Sequence, residues 1–377
     1  MSGIAVEAAT VVAVTARRPG ATELRVRVDG ADGDEAAIGY DQLTGELAAG
    51  DRVAVNTTAV RLGLGTGGLH VVMARLDAGA RPAGLSHPGH IMKARYTPSQ
   101  VAVLAVEEDA SPHRAAVAAV DDLDGLPVVA AELHSMVPVI AAAARAADQR
   151  VRVAYVMSDG AALPFGLSRL AERMRSAGLL AGTLTAGQAF GGDLEAITVH
   201  SALAAAKAVL GADVVVVAQG PGGAGSGTRF GFSGVQMAEA VNAAGALGGR
   251  PLACLRLSGA DARDRHRGVS HHTLTALGRL ALARALVAVP VLDDPALAAA
   301  VGRQLEQAGV AARHELVEVA QSPPAAELLA AWGLEVATMG RGPAADPAFF
   351  AAAAAAGTLA GRLAAGALPG PLPGARA

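Results

Sequence analysis

The sequence has one cysteine, few aromatic residues and no strong net charge. Cys254 has no partner in the chain, so an internal disulfide is excluded and a reducing compartment fits. Aromatic residues form only 3% of the 377 residues, which leaves few platforms for stacking nucleobases. The net charge of −3 gives no basic field for a phosphate backbone. We therefore expect no nucleic-acid partner.

The chain also lacks a long uninterrupted apolar run. Each apolar segment is well short of the roughly 20 residues that cross a bilayer. Residues 1–17 have no basic stretch before their apolar part, which argues against a signal peptide. Ala351–Ala356 is short, and we expect it to lie in a terminal helix packed on the protein. These absences predict a cytoplasmic protein with no membrane partner.

What the chain does contain is small aliphatic residues in quantity. Hydrophobic residues make up 52% and charged residues 17%, enough for a large core. The same composition is compatible with a homodimer. The length fits more than one domain. We divide it into a small all-β domain at 1–80, a linker at 81–98, an α/β domain at 99–365 and a disordered tail at 366–377.

The N-terminal eighty residues show the period of two that marks half-buried strands. In Thr22–Val28, for example, Leu24 and Val26 alternate with Arg25 and Arg27. Turns rich in Gly and Asp separate several such segments. The pattern predicts a small antiparallel β-barrel or sandwich.

From about Gln100 onward, short apolar runs alternate with amphipathic helical stretches. Runs without alternation are typical of strands covered on both faces. We therefore predict a mainly parallel, Rossmann-like sheet with helices on both faces. The predicted strands are Val101–Val106, Pro127–Ala131, Val151–Val156, Asp213–Ala218, Pro251–Leu257, Val287–Leu292 and Glu315–Val319.

Ligands of such sheets bind beyond the carboxyl ends of the strands, and a glycine-rich loop follows one predicted strand there. Glycine amides can approach an anion closely, and a helix should follow the loop. The loop is neither a P-loop nor a dinucleotide fingerprint. In the alternative interpretation its glycines serve turns only. Its candidate ligand-binding residues are Gly220, Gly222, Gly223, Gly225, Gly227, Thr228 and Arg229.

A second candidate segment, residues 261–273, is dense in arginine and histidine. We select His271 as a general acid or base, and Arg267 and Ser270 as ligand-binding residues. Ser270 is well placed to cap the helix that follows. The alternative is a solvated charged loop in which Asp261 and Asp264 pair with the arginines. His266, His271 and His272 are metal-ligating residue types, but adjacent helical side chains point about 100° apart and rarely share one ion. We predict no metal.

Smaller polar loops supply further candidates. His134, beside Glu132, and Asp159 are catalytic candidates, although helix capping explains such loops equally well. Gln188 lies in another glycine-dense loop, and Lys93 lies in the linker segment 86–98. Both are candidate ligand-binding residues. The linker could instead pin the two domains together.

Five segments resemble one bacterial, mainly actinobacterial family, described as domain of unknown function 3866. They are GDRVAVNTTAV, GHIMKARYTP, TAGQAFGGD, GPGGAGSGTRFG and RHRGVSHHT, at Gly50–Val60, Gly89–Pro98, Thr185–Asp193, Gly220–Gly231 and Arg265–Thr273. The resemblance implies a bacterial cytosolic protein. It implies no activity, catalytic residue or cofactor.

Two classes of function remain open. The first is an enzyme acting on a phosphate- or carboxylate-bearing small molecule held by the glycine-rich loop. The alternative is a non-catalytic metabolite-binding or regulatory protein whose β-domain docks a partner. The sequence leaves any cofactor undetermined. The number of titratable groups at the predicted strand ends favours the enzyme.

Overall fold

The computed structural model describes residues 4–64, 67–76, 88–160 and 164–366. Most of the predicted linker before Gly89, including residues 86 and 87 of the candidate segment, lies outside the described residues, as does the tail from 367.

The N-terminal strands close into a five-stranded barrel, in the order β1-β2-β3-β5-β4. All neighbouring strands run antiparallel except β3 and β5. The predicted small barrel is confirmed, and β2 keeps Val26 buried between exposed Arg25 and Arg27. The elements are β1 (Val6–Arg18), β2 (Ala21–Val28), β3 (Asp34–Gly39), α1 (Asp41–Thr44), β4 (Arg52–Asn56), α2 (Thr58–Arg61) and β5 (His70–Arg75).

A hairpin of β6 (Ile91–Lys93) and β7 (Val101–Val103) follows the barrel. The sequence placed this run, as Val101–Val106, in the parallel sheet. The strand instead ends at Val103, because the carboxylate of Glu108 accepts the amide hydrogen of Ala105. An isolated parallel bridge from Ala105 to Glu195 connects this segment to the sheet edge.

The large sheet has eight parallel strands, in the order β11-β10-β9-β12-β8-β13-β16-β17. The predicted Rossmann-like arrangement is confirmed, and β12 is buried along its whole length because helices cover both faces. Its strands are β8 (Pro127–Ala131), β9 (Val153–Ser158), β10 (Gly182–Thr185), β11 (Leu194–Glu195), β12 (Val214–Gln219), β13 (Arg250–Cys254), β16 (Leu286–Pro290) and β17 (Glu315–Val319). A separate pair consists of β14 (Leu257–Ser258) and β15 (Gly268–Val269).

Helices form the two outer layers. The first apolar cluster places α4, α5, α11 and α12 on one face, and the second places α6, α7 and α9 on the other. The helices are α3 (Arg114–Ala118), α4 (Val137–Ala147), α5 (Arg169–Ser176), α6 (Val199–Ala208), α7 (Gln236–Ala246), α8 (His271–Thr275), α9 (Pro295–Gln307), α10 (Val310–Arg313), α11 (Ala325–Ala330) and α12 (Pro347–Ala364).

The alanine-rich α12 packs closely on α4. Gly357 and Gly361 face the backbone of α4, where a Cβ atom would collide with the carbonyl oxygens of Ile140 and Ala144. Within the described residues α12 is the one helix long and apolar enough to span a membrane, yet it is 72% buried. It is therefore a core helix, as the sequence predicted for Ala351–Ala356.

The strand order creates a crevice at the centre of the sheet. Strands β8 and β12 are neighbours, but α4 after β8 covers one face and α7 after β12 covers the other. The two connections therefore leave the carboxyl ends of β8 and β12 toward opposite faces of the sheet. This is the position at which doubly wound sheets bind ligands.

Polar contacts attach the barrel to the sheet domain. Arg18 donates to the carbonyl of Gly166 at 2.9 Å, and Arg169 donates to the Glu23 carboxylate at 2.6 Å. The hydrogen bond from Arg169 outweighs burial and holds the pKa of Glu23 below its ordinary value. The barrel thus packs beside α5, away from the central crevice.

Candidate functional site

An open cleft of about 400 Å³ lies beyond the carboxyl ends of β12, β8 and β13. The glycine-rich loop, defined here as residues 219–231, forms one wall. The opposite wall is the arginine–histidine segment, residues 256–273, and residues 132–135 form the floor. The structure brings these three segments together around one crevice, a convergence that the sequence alone left open.

The glycine-rich loop folds back on itself as a small hairpin. The amide of Ser226 donates to the carbonyl of Gly231 at 2.7 Å, and the hydroxyls of Ser226 and Thr228 lie 2.8 Å apart. The half of the loop nearer β12 lines the cleft with Gly220, Gly222, Gly223 and Gly225. The other predicted residues of this loop, Gly227, Thr228 and Arg229, are exposed at its tip and do not line the cleft.

A buried carboxylate, Glu132, holds the cleft together at its floor. Its Oε1 accepts hydrogen bonds from Arg256 at 2.6 Å and from His272 at 2.7 Å, and its Oε2 accepts from Thr273 at 3.1 Å. Burial opposes the charge, but His272 and Arg256 favour it more strongly and hold the pKa of Glu132 below its ordinary value. Glu132 is therefore an ionised anchor for the opposite wall.

His272 is oriented by this contact. A carboxylate can only accept a hydrogen bond, so Nδ1 of His272 donates to Glu132 and Nε2 is the nitrogen left for another partner. The ring stacks on Phe232 with centroids 4.0 Å apart and planes inclined by 1°. Nε2 is buried and has no hydrogen-bond partner within the described residues.

His266 and His271 lie beside His272. One ligand nitrogen from each of the three rings lies within 4.8 Å of the others. Burial, reinforced for His266 by Arg256, lowers the pKa of His266 to about 3 and lowers that of His271. Both rings are therefore neutral at pH 7. Ser270 caps α8 as predicted, and its hydroxyl also lies 2.8 Å from Nδ1 of His266.

The 100° separation of adjacent helical side chains does not keep these rings apart. His271 and His272 occupy the first turn of α8, and their ring centroids are 4.3 Å apart. His266 comes from the preceding turn and closes the group. The convergence depends on this turn, which spacing along a helix does not describe.

Three arginines line the same cleft, namely Arg256, Arg263 and Arg265. Arg256 is bound to Glu132, and Arg263 donates to Asp261 at 2.9 and 2.8 Å. The hydrogen bond from Arg263 outweighs burial and strongly lowers the pKa of Asp261. Arg265 is exposed.

Arg267, which the sequence selected, lies outside the cleft lining. Its side chain is exposed, and its carbonyl accepts a hydrogen bond from Gln304. In this part of the segment the guanidinium groups that line the cleft are those of Arg263 and Arg265.

His134 lies at the cleft floor, but both its ring nitrogens are engaged. Nδ1 lies 3.0 Å from the Tyr155 hydroxyl and Nε2 lies 2.6 Å from the Ser168 hydroxyl. Burial lowers the pKa of His134 to about 4. The contacts suit a neutral histidine that fixes the floor to β9 and α5.

Asp159, Gln188 and Lys93 form a second group, outside the cleft lining. Asp159 accepts from the amide of Gln188 at 3.0 Å and from the side chain of Gln236 at 3.1 Å. The fully buried ammonium of Lys93 donates to the carbonyls of three residues around the loop after β10 and lies 3.5 Å from Glu195. These polar groups order that loop.

The sequence patterns select neither Arg256 nor residues 337–339, which also line the cleft. Glu132 lies directly beyond β8, and Arg256 lies two residues beyond β13. The rule of carboxyl strand ends that selected the glycine-rich loop could therefore have found it.

The fold and the cleft define a doubly wound α/β protein with a basic, histidine-bearing crevice and an N-terminal barrel. The profile of a family described as "Protein of unknown function (DUF3866)" matches residues 36–357, so the chain belongs to that family. The match includes every segment that lines the cleft. Comparison with curated proteins and with solved structures gives no significant match.

Proposed function

We propose that the chain is a cytoplasmic enzyme that acts on a phosphate- or carboxylate-bearing small molecule bound in the central cleft. The observation that carries the proposal is the free Nε2 of His272, held by Glu132 in a cleft lined by three guanidinium groups. The arginines supply the anion site, and the histidine supplies a reactive atom beside it.

The excess of arginine over carboxylate supports an anionic ligand. Three arginines line the cleft, and two of them are paired with carboxylates, Arg256 with Glu132 and Arg263 with Asp261. Arginine offers several N–H donors in a fixed plane. Arg256 donates to Glu132 from one Nη atom. The glycines of the opposite wall allow close approach of the ligand to the backbone.

The orientation of His272 supports chemistry beyond binding. Its partner Glu132 fixes both the tautomer and the ring, as in catalytic histidines paired with a carboxylate. The free Nε2 can take a proton from a bound molecule or from water, or it can ligate an ion. Each use places the reacting centre next to the guanidinium groups.

A thermal-shift screen of the full chain tests the anion site. The probes are inorganic phosphate, pyrophosphate, nucleotides, sugar phosphates, coenzyme A and citrate. A molecule that binds the folded state raises Tm by mass action. We expect at least one anion to do so in the wild type and in Arg267→Ala, but not in Arg265→Ala. Arg267 is a matched control, because it is equally exposed and lies outside the cleft.

If no probe shifts Tm, or if Arg265→Ala responds like the wild type, the anion site is wrong. A probe that binds is then incubated with the protein and followed by NMR. Turnover that is lost in His272→Gln supports the enzyme. Binding without turnover favours the non-catalytic metabolite-binding alternative, with the barrel as docking module.

A further inference from the structure

The three clustered histidines have features that proton transfer by one residue does not explain. A single base needs one free nitrogen, yet the Nε2 atoms of both His271 and His272 are buried without a hydrogen-bond partner in the described chain. A buried polar atom left without a partner destabilises the folded state. Two such atoms on rings whose centroids lie 4.3 Å apart point to a missing partner common to both.

His266 provides a third imidazole next to these two rings. Its ring lies edge-on to that of His272, with centroids 5.0 Å apart, and its Nδ1 is fixed by the Ser270 hydroxyl. One nitrogen from each ring lies within 4.8 Å of the others. A cation can draw the three together by small side-chain rotations. His266 and His272 also line the cleft, so a bound ion would face its interior.

The contact between Glu132 and His272 is the partnership that metal-binding histidines make. A ligating histidine usually donates its other N–H to a carboxylate or carbonyl, which fixes the ring and raises its basicity. Glu132 takes this role from within the protein, and Arg256 balances its charge. The neighbouring arginine thus keeps the carboxylate in place beside His272.

We propose that His266, His271 and His272 bind one divalent transition-metal ion of the zinc class, with Glu132 as the outer carboxylate that positions His272. Imidazole nitrogen suits zinc, and three protein ligands leave a fourth position open for water or an anion. The open position would face the arginines of the cleft. The metal site depends on its own contacts and would stand even if the cleft carried no reaction.

Zinc titration of tag-free full-length protein, after chelator treatment, tests the site without any substrate. Calorimetry should show one equivalent bound by the wild type. We expect His266→Gln, His271→Gln and His272→Gln each to bind at least 100-fold more weakly. His200→Gln removes an exposed histidine elsewhere on the chain and should bind as the wild type does. Glu132→Gln should weaken binding roughly 10- to 100-fold, because the ligands remain but lose their outer partner.

Circular dichroism of the metal-free variants establishes that each is folded. Should a variant fail to fold, X-ray absorption of the wild type with one equivalent of zinc counts its ligands directly, and three imidazoles are expected. The proposal is overturned if the wild type binds no stoichiometric zinc, if any of the three variants keeps full affinity, or if fewer than three imidazoles surround the ion. None of these outcomes depends on the anion screen, so the two proposals fail separately.

Discussion

Nδ1 of His272 lies 2.7 Å from Oε1 of Glu132, although 140 positions separate the two residues in the chain. Glu132 follows β8 directly, and His272 lies in the first turn of α8. Arg256 and Thr273 donate to the same carboxylate. This single buried charge therefore joins the floor of the cleft to one of its walls.

Glu132→Gln should destabilise the folded protein by roughly 3 kcal/mol, because it leaves Arg256 charged and nearly buried without a counter-ion. Urea unfolding of both single variants and of the double variant Glu132→Gln/Arg256→Met measures the coupling between them. We expect the double variant to lose less stability than the sum of the single losses, by about 1–3 kcal/mol. Strictly additive losses would mean that the ion pair contributes nothing to the fold.

Gly234→Ala should disturb the cleft, because an added Cβ would lie 2.5 Å from Cγ of Glu132. Overpacking of this kind costs about 1–3 kcal/mol. Gly227→Ala in the neighbouring loop is the matched control, since a Cβ there meets nothing within 4 Å and the change should stay within about 0.5 kcal/mol. Thermal unfolding of both variants checks this. Equal losses would show that the close packing of Gly234 on the carboxylate is unimportant.

The barrel and the parallel sheet could be predicted because their signals are local. The alternation in β2 and the apolar runs of β8 and β12 each record the faces that a strand buries. Strands β10 and β11 were missed, because they are short and partly polar. Strand β10 pairs with β9 and β11, and the Asp193 carboxylate just before β11 accepts from the amide of Thr183 at 2.9 Å.

In the candidate site too, the features with a local signal in the sequence could be predicted and those that depend on distant contacts could not. The rule of carboxyl strand ends correctly brings Glu132, the glycine-rich loop and the arginine–histidine segment to one edge. The rule does not show which side chains are already hydrogen-bonded within the protein. The partners of Lys93 and His134 come from distant segments and are visible only in the folded chain.

His134 should make the free energy of unfolding decrease as the pH falls from 6.5 to about 4. Burial lowers its pKa in the folded state from 6.5 to about 4. As pH falls below 6.5 the unfolded chain takes up the proton first, so stability present above that value is lost between pH 6.5 and 4. The loss between pH 7 and pH 5 is about 2 kcal/mol.

Urea unfolding of the wild type and of His134→Gln at both pH values checks this. The variant should show a loss smaller by that amount, whereas His200→Gln, which removes an exposed histidine, should follow the wild type. Parallel curves for all three proteins would contradict the assignment of the pH dependence to His134.

Lys93→Met should unfold more easily than the wild type, and its effect separates an ordering role from ligand binding. Removal of the ammonium leaves Glu195 without its counter-ion and deprives the carbonyls of Ala189 and Ala196 of a donor. Breaking such a buried pair costs about 3–5 kcal/mol.

Lys207→Met removes a lysine paired with an exposed Asp124, and should cost at most about 1 kcal/mol. Hydrogen exchange should speed up in the loop after β10 in Lys93→Met alone. Below its unfolding temperature the same variant should keep the anion and zinc affinities of the wild type, because Lys93 lies outside the cleft lining. Lost affinity with unchanged stability would instead make Lys93 a ligand-binding residue, as its position in the sequence first indicated.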